Sequence, residues 1–245
     1  MGIPNDSKIG KQMSSLGTIF ITGSNRGIGL EFVKQYSLDN WDVIATCRDT
    51  SQAKELIELS EHNNNLSLMD LDITKKESVE EVANKLNGKP IDILINNAAY
   101  LGPPEPQKFG QIDYSMFTES FEVNAIGPIR ITEKLINNVR KSDMKKIIFL
   151  GSGAGSITQI MPPVTLYSYR ASKAALHLVV NNLYHDLHSE NIIVSLINPG
   201  MVDTRGFLDL KLGDPIPEHL TKMVPITLIK MIQEGKIPMI TSLES

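Results

Sequence analysis

Short apolar runs and helical patterns alternate along the whole middle of this chain, and that alternation restricts the fold more than any other feature. The runs are Thr18–Thr22, Val43–Cys47, Leu66–Met69, Ile91–Ile95, Ile147–Leu150 and Ile192–Ile197. Most are apolar at successive positions rather than at every second one, so both faces of each strand must be covered. Between them lie helical stretches at about 27–38, 51–60, 74 onward, 114–141 and 167–189. Ser51 is the expected cap of the second, and Thr74 with Glu77 the expected reciprocal cap of the third. The pattern predicts an α/β fold: a single doubly wound, Rossmann-type domain over 18–245, its mostly parallel sheet flanked by helices. Residues 1–17 hold Asn5, Asp6, Ser7, Lys8, Lys11 and Gln12 without an apolar core, and read as a flexible arm rather than a secretory signal.

Composition narrows the partners. The formal net charge is −4 and charged residues make up 21% of the chain, which leaves no basic footprint for nucleic acid or an anionic membrane. No apolar run approaches the roughly 18 residues of a membrane span. The one cysteine, Cys47, forbids an intrachain disulfide and points to a reducing, cytoplasmic setting.

The first strand meets the first helix in Thr22-Gly23-Ser24-Asn25-Arg26-Gly27-Ile28-Gly29. Gly23 permits a sharp turn, while Gly27 and Gly29 let a pyrophosphate and the sheet approach the backbone. The free N–H groups at the helix start then face the phosphates. The spacing Gly-x3-Gly-x-Gly is a variant of the commoner fingerprint, and a chance match is expected only about 0.004 times in such a chain. Of the six tyrosines, only Tyr169 has a lysine four residues on, Lys173, which places both on one helix face. An ammonium beside a phenol lowers its pKa by about 1–3 units, toward the range useful for proton transfer.

These motifs resemble the short-chain dehydrogenase/reductase family. Asn96-Asn97-Ala98, Val123-Asn124, Gly151-Ser152, Tyr169-x3-Lys173 and Asn198-Pro199-Gly200 follow the glycine turn in that family's order, and the wording around Tyr169 looks most like the C-factor and sniffer-like carbonyl reductases. The resemblance covers about residues 18–205. It implies reduction of an aldehyde or ketone with NADPH, or the reverse oxidation, with Tyr169 as proton donor, Lys173 lowering its pKa, Ser152 polarising the substrate oxygen, and Asn124 bending its helix and holding a water on the proton path. Ser156 stands at the family's usual distance before the tyrosine, but Gly151-Ser152 directly ends the strand, so Ser152 is preferred.

The same resemblance assigns cofactor contacts to Gly23, Ser24, Asn25, Arg26, Gly27, Ile28 and Gly29, to Arg48, Asp72 and Ile73, to Asn97, Ala98 and Ala99, to Tyr169 and Lys173, and to Pro199, Gly200, Val202 and Thr204. Ala99 stands where the family has glycine, which raises the question of backbone strain there. The position that holds an acid in NAD-preferring relatives is Cys47; Arg48 and Arg26 instead favour a 2′-phosphate. Asp49 is the counter-argument, two positions late.

His177, His185 and His188 read as a solvated helix face, with no metal site. The loops 100–111 and 201–225 suggest a fairly apolar carbonyl substrate. The two long helices are expected to pair subunits into a homodimer or homotetramer. The alternative is a dinucleotide-binding regulator with little turnover; the chain's atypical end, without the subgroup's terminal Pro-Trp, keeps that alternative open.

Overall fold

The computed structural model describes residues 15–158 and 165–199. Within them, six strands form one all-parallel sheet in the order β3-β2-β1-β4-β5-β6: β1 Thr18–Thr22, β2 Asp42–Cys47, β3 Leu66–Asp70, β4 Ile93–Asn96, β5 Lys146–Leu150 and β6 Ile193–Ile197. The connecting helices are α1 Gly27–Leu38, α2 Lys54–His62, α3 Lys76–Leu86, α4 Ser115–Phe121, α5 Gly127–Arg140 and α6 Tyr167–Leu187. Strand order reverses between β1 and β4, so the crossovers diverge there and leave a crevice at the carboxyl ends of the strands.

Alternating side chains divide the core in two. Ile19 and Ile21 of β1 join Phe32, Val33 and Tyr36 of α1 and Leu56 of α2 on one face. Phe20 between them points to the other, with Leu94, Ile147, Phe149 and Val194, against α3, α5 and α6. The continuous apolar runs of the strands are thus used on both sides. No helix among the described residues is long and apolar enough to cross a membrane.

Several expected boundaries shift for local reasons. The Ile91 N–H goes to the Asn138 carbonyl of α5, so β4 starts two residues late. Ser51 does not cap α2. Its N–H and hydroxyl are held by Asp49 Oδ1 at 3.0 and 2.6 Å, which closes a 3-10 turn over Thr50–Gln52 before the helix begins. Thr74 does not cap α3 either: its hydroxyl donates back to Asp72 Oδ1 at 2.6 Å, and the helix starts at Lys76 without a side-chain cap. The helix expected over 114–141 is α4 and α5 joined through a π-helical turn, Glu122–Ile126. That expected over 167–189 ends at Leu187 and passes into a 3-10 turn. Ser15, assigned by its sequence to the arm, accepts from the Asp42 N–H, and Leu16 donates to Asn40.

Gly29 fixes how closely α1 approaches β1. A Cβ there would collide with the Gly23 carbonyl oxygen and the Asn97 amide. We expect Gly29→Ala to cost about 1–3 kcal/mol of stability through overpacking, measured by urea denaturation; an unchanged midpoint would contradict this packing.

Candidate active site

A cavity of about 960 Å³ opens at the carboxyl ends of the strands, in the crevice beside the β1–β4 reversal. Its floor is the β1–α1 turn. Gly23 and Gly27 have φ of 66° and 57°, which only glycine adopts freely. The first turn of α1 carries neither an acidic residue nor a side-chain cap, so its N–H groups face the cavity mouth as donors for an anion. Asn97 ties this turn to the end of β4: its Nδ2 donates to the Thr22 and Gly23 carbonyls at 2.9 and 2.8 Å. The Thr22 hydroxyl in return accepts from the N–H groups of Asn97 and Ala98 at 3.0 and 3.1 Å.

Twelve of the expected cofactor residues line this cavity: Gly23, Asn25, Arg26, Gly27, Ile28, Arg48, Asp72, Ile73, Asn97, Ala98, Ala99 and Tyr169. Ser24 and Gly29 do not. Ser24 is buried, donating to the Ile21 carbonyl and accepting from the Thr46 N–H, so it braces the turn from beneath. Gly29 serves helix–strand packing, as above. Lys173 and Pro199 are also absent from the lining. Gly200, Val202 and Thr204 lie outside the described residues. Ala99 is not among the residues with positive φ, so its methyl brings no strain there.

Arg26 and Arg48 are exposed, line the cavity, and form no ion pair among the described residues. Asp49 has its Oδ1 committed to Ser51 and is not part of the lining; Cys47 is, with its thiol pushed up mainly by burial.

Of the expected reacting groups, Tyr169 lines the cavity, while Ser152, Lys173 and Asn124 stand outside its lining. Tyr169 lies in the first turn of α6, with Lys173 Nζ 5.9 Å from its ring centroid. The Lys173 ammonium is buried and donates to the Leu150 carbonyl at 2.8 Å. Burial lowers its pKa to about 8. The Tyr169 phenol is raised, chiefly by burial, and a hydrogen bond from Ser152 pulls it partly back. This corrects the expectation that Lys173 governs the phenol. The ammonium stands off the ring, engaged by a carbonyl, and desolvation wins. Ser152 sits in extended backbone at the end of β5 and accepts from the Ala154 N–H. Ser156, the competing candidate, turns its hydroxyl toward Thr158 at 3.5 Å.

Asn124 occupies the π turn, fully buried. Its Oδ1 accepts from the Tyr100 N–H, and its Nδ2 donates to the Tyr100 carbonyl and to Ser172 Oγ, at 2.7, 2.7 and 2.9 Å. Both amide N–H groups are therefore committed to protein. The carbonyl of Asn124 is another matter: Pro128, four residues on, has no N–H to bond it in α-helical register. Pro128 inside an otherwise helical pattern was the sequence signal for this irregular turn.

His177 departs from the expected solvated face. It is half-buried, with Nε2 3.4 Å from the Ser152 backbone nitrogen, whereas His185 and His188 are exposed beside Tyr184. No group of three or more potential ligands able to hold a metal occurs among the described residues. The cavity also takes in residues that sequence reasoning passed over. Tyr100, Leu101, Gly102 and Pro103 form one wall; Glu119, Glu122 and Arg130 come from the helical segment that also carries Val123 of the Val123-Asn124 motif. Only the apolar character of the 100–111 loop signalled the first group.

Three comparisons bear on this arrangement. The family model described as short chain dehydrogenase matches residues 17–211. The chain belongs to the short-chain dehydrogenase/reductase family. It is 32% identical over 218 residues to the short-chain dehydrogenase/reductase atnB of Arthrinium sp., covering 82% of this chain and 79% of the relative. Among solved structures, the NADPH-bound carbonyl reductase from chicken fatty liver superposes with a TM-score of 0.76 at 26% identity, over 90% of this chain and 92% of that one. The carbonyl reductase Sniffer of D. melanogaster gives 0.76 at 25% identity, over 88% and 91%. This short-chain dehydrogenase/reductase therefore shares its all-parallel sheet and helical layers with sniffer-like carbonyl reductases.

The buried lysine makes a testable demand on stability. A lysine whose pKa falls from 10.5 to about 8 on folding destabilises the native state fully below pH 8. The penalty is relieved as pH rises toward 10.5, where the unfolded chain also loses its proton. Wild-type stability should therefore gain roughly 3 kcal/mol on Lys173→Met across that window, read by urea denaturation at several pH values. A difference that stays constant with pH would contradict the buried ammonium.

Proposed function

We propose that this enzyme reduces an aldehyde or ketone to an alcohol with NADPH, or runs the reverse oxidation. The observation that carries the reading is the Tyr169 phenol, half-buried in the lining of the cavity and hydrogen-bonded by Ser152, with Lys173 one turn further along the helix.

The residues present fit a dinucleotide. The positive-φ glycines and uncapped α1 terminus suit a pyrophosphate, Asp72 and Ile73 would flank an adenine, and Ala98, Ala99 and Tyr169 line the same cavity. NADPH, when bound, supplies a hydride to the substrate carbon. Ser152 then donates to the substrate oxygen, and Tyr169 delivers the proton. Burial favours the protonated phenol at neutral pH, the form that reduction consumes. Lys173, near pKa 8, suits a group that passes protons onward. Because the Asn124 amide is committed, its carbonyl is the atom we assign to hold a water on that path.

Arg26 and Arg48 support a preference for the 2′-phosphate, as charge-assisted partners that form no ion pair among the described residues. A relative crystallised with NADP, a Burkholderia multivorans short-chain dehydrogenase/reductase, is 27% identical with a TM-score of 0.77, over 89% of this chain and 91% of that one. Leu101, Pro103 and Val123 favour a fairly apolar substrate, and Glu119 disfavours an anionic one. We also propose one domain over 18–245, a cytoplasmic setting consistent with the buried free Cys47, and a homodimer or homotetramer. For the last, Phe121, Ala125, Ile126, Ile129, Ala175 and Val179 form a mostly apolar groove along the long helices, flanked by Arg130 and Glu133.

Tyr169→Phe should retain NADPH binding and lose about 10²–10⁴-fold in kcat on a panel of aldehydes, ketones and quinones. Near-wild-type turnover would remove the tyrosine from the reaction. NADPH bound by the wild type without consumption of any carbonyl would favour the regulator instead. NADPH should bind at least about tenfold tighter than NADH, or roughly 1.4 kcal/mol, and Cys47→Asp with Arg48→Ser should narrow or reverse the gap. Equal dissociation constants in the wild type would contradict the assignment of Arg26 and Arg48. Light scattering should give a multiple of 27.1 kDa, and a monomer at micromolar concentration would contradict the proposed assembly.

A further inference from the structure

Gln107 lies in the loop between β4 and α4, among neighbours that are mostly exposed, yet is itself 1% exposed. A buried amide is tolerated only where its hydrogen-bonding positions are met. Nε2 donates to the Leu101 and Pro103 carbonyls at 2.7 and 3.0 Å, and Oε1 accepts from Ser168 Oγ and the Tyr169 N–H at 2.7 and 3.0 Å. Two carbonyls on one side and a backbone N–H on the other admit only this orientation of the amide.

Both ends of that amide touch the reaction site. Helix α6 has no cap of its own, since Leu166 precedes it in the left-handed region with no side-chain bond to the first turn. Gln107 satisfies the orphan N–H of Tyr169 from 62 positions away in the chain. Leu101, Gly102 and Pro103, gripped by its other end, wall the cavity beside Tyr169. The Tyr169 carbonyl is held separately by Ser172 Oγ, which accepts from Asn124, which in turn pairs with the backbone of Tyr100. The main chain of the proton donor is thus joined to the 100–103 wall on both sides.

We infer that Gln107 is a positioning residue for the carbonyl chemistry: it sets the Tyr169 phenol at a fixed distance from the Leu101–Pro103 wall, against which the substrate lies. The inference rests on the carbonyl-reduction reading. Errors of about 1 Å in such a relation cost up to about 10²-fold in rate.

Two substitutions separate the two ends. Gln107→Glu keeps the acceptor for Ser168 and Tyr169 but loses the amide donors to the wall. Gln107→Leu loses both. With NADPH and a reducible carbonyl, Gln107→Glu should raise KM at least about fivefold with kcat within about threefold of wild type, and Gln107→Leu should also lower kcat at least about tenfold. The NADPH dissociation constant should stay within about twofold in each, because Gln107 lies outside the cofactor cradle. The Tyr169 phenolate absorbance, taken as the difference from the same protein with Tyr169→Phe, should titrate at a shifted pH in Gln107→Leu. Unchanged kcat and KM in both variants, or a loss of melting temperature with the titration unmoved, would overturn the inference. If Gln107→Leu fails to fold, the KM effect of Gln107→Glu decides. If the wild type reduces no carbonyl, the function proposed above falls; the phenol titration then decides for Gln107 alone, a shift in either variant supporting its role and an unmoved midpoint overturning it.

Discussion

The seam between the end of β1 and the end of β4 is the constraint on which the rest of the site depends. There the strand order reverses, and two turns that belong to different crossovers must share one edge of the sheet. Thr22 and Asn97 join them by four short hydrogen bonds, side chain to backbone in both directions. With that seam closed, the glycine turn, α1 and the 97–103 segment are held as one wall, and the crevice between diverging helices becomes a shaped cavity. Gly29 contributes by having nothing to put in the way.

The far side of the cavity is built at some cost. Lys173 is buried and donates to the Leu150 carbonyl, and Tyr169 is partly desolvated beside Ser152. A structural core would place apolar side chains there. Burial instead pushes their pKa values apart, the lysine down and the phenol up, the kind of perturbation that marks candidate acid–base groups rather than groups that lend stability. The π turn at Asn124 belongs to the same logic. It spends helical regularity to aim one amide at Tyr100 and Ser172.

The sheet was legible because its strands are continuous apolar runs bounded by glycine, proline and polar residues; β1 and α1 begin and end where the pattern places them. Boundaries shifted where a side chain bonded its own neighbourhood instead of a helix end, as Asp49 with Ser51 and Asp72 with Thr74. The glycine turn and the Tyr169–Lys173 pair were legible as spacings, since both act through local geometry. Ser24 illustrates the limit of spacing: a residue inside the motif can face the sheet rather than the cavity. The 100–111 loop was legible only as an apolar wall, and the particular roles of Gln107, Tyr100 and Glu119 were not. Their importance lies in partners tens of residues distant, and no local period records a long-range hydrogen bond.

The account stands on one event, the passage of hydride and proton to a carbonyl at the inner end of this cavity. Deuterium transfer tests it most directly: incubation with NADPH deuterated at the transferable C4 position and a reducible carbonyl, followed by mass spectrometry of the alcohol. The wild type should place the deuterium on the carbinol carbon, and Tyr169→Phe should form almost none of that alcohol in the same time. Alcohol formed without the label, or labelled equally fast by the Tyr169→Phe variant, would contradict the account.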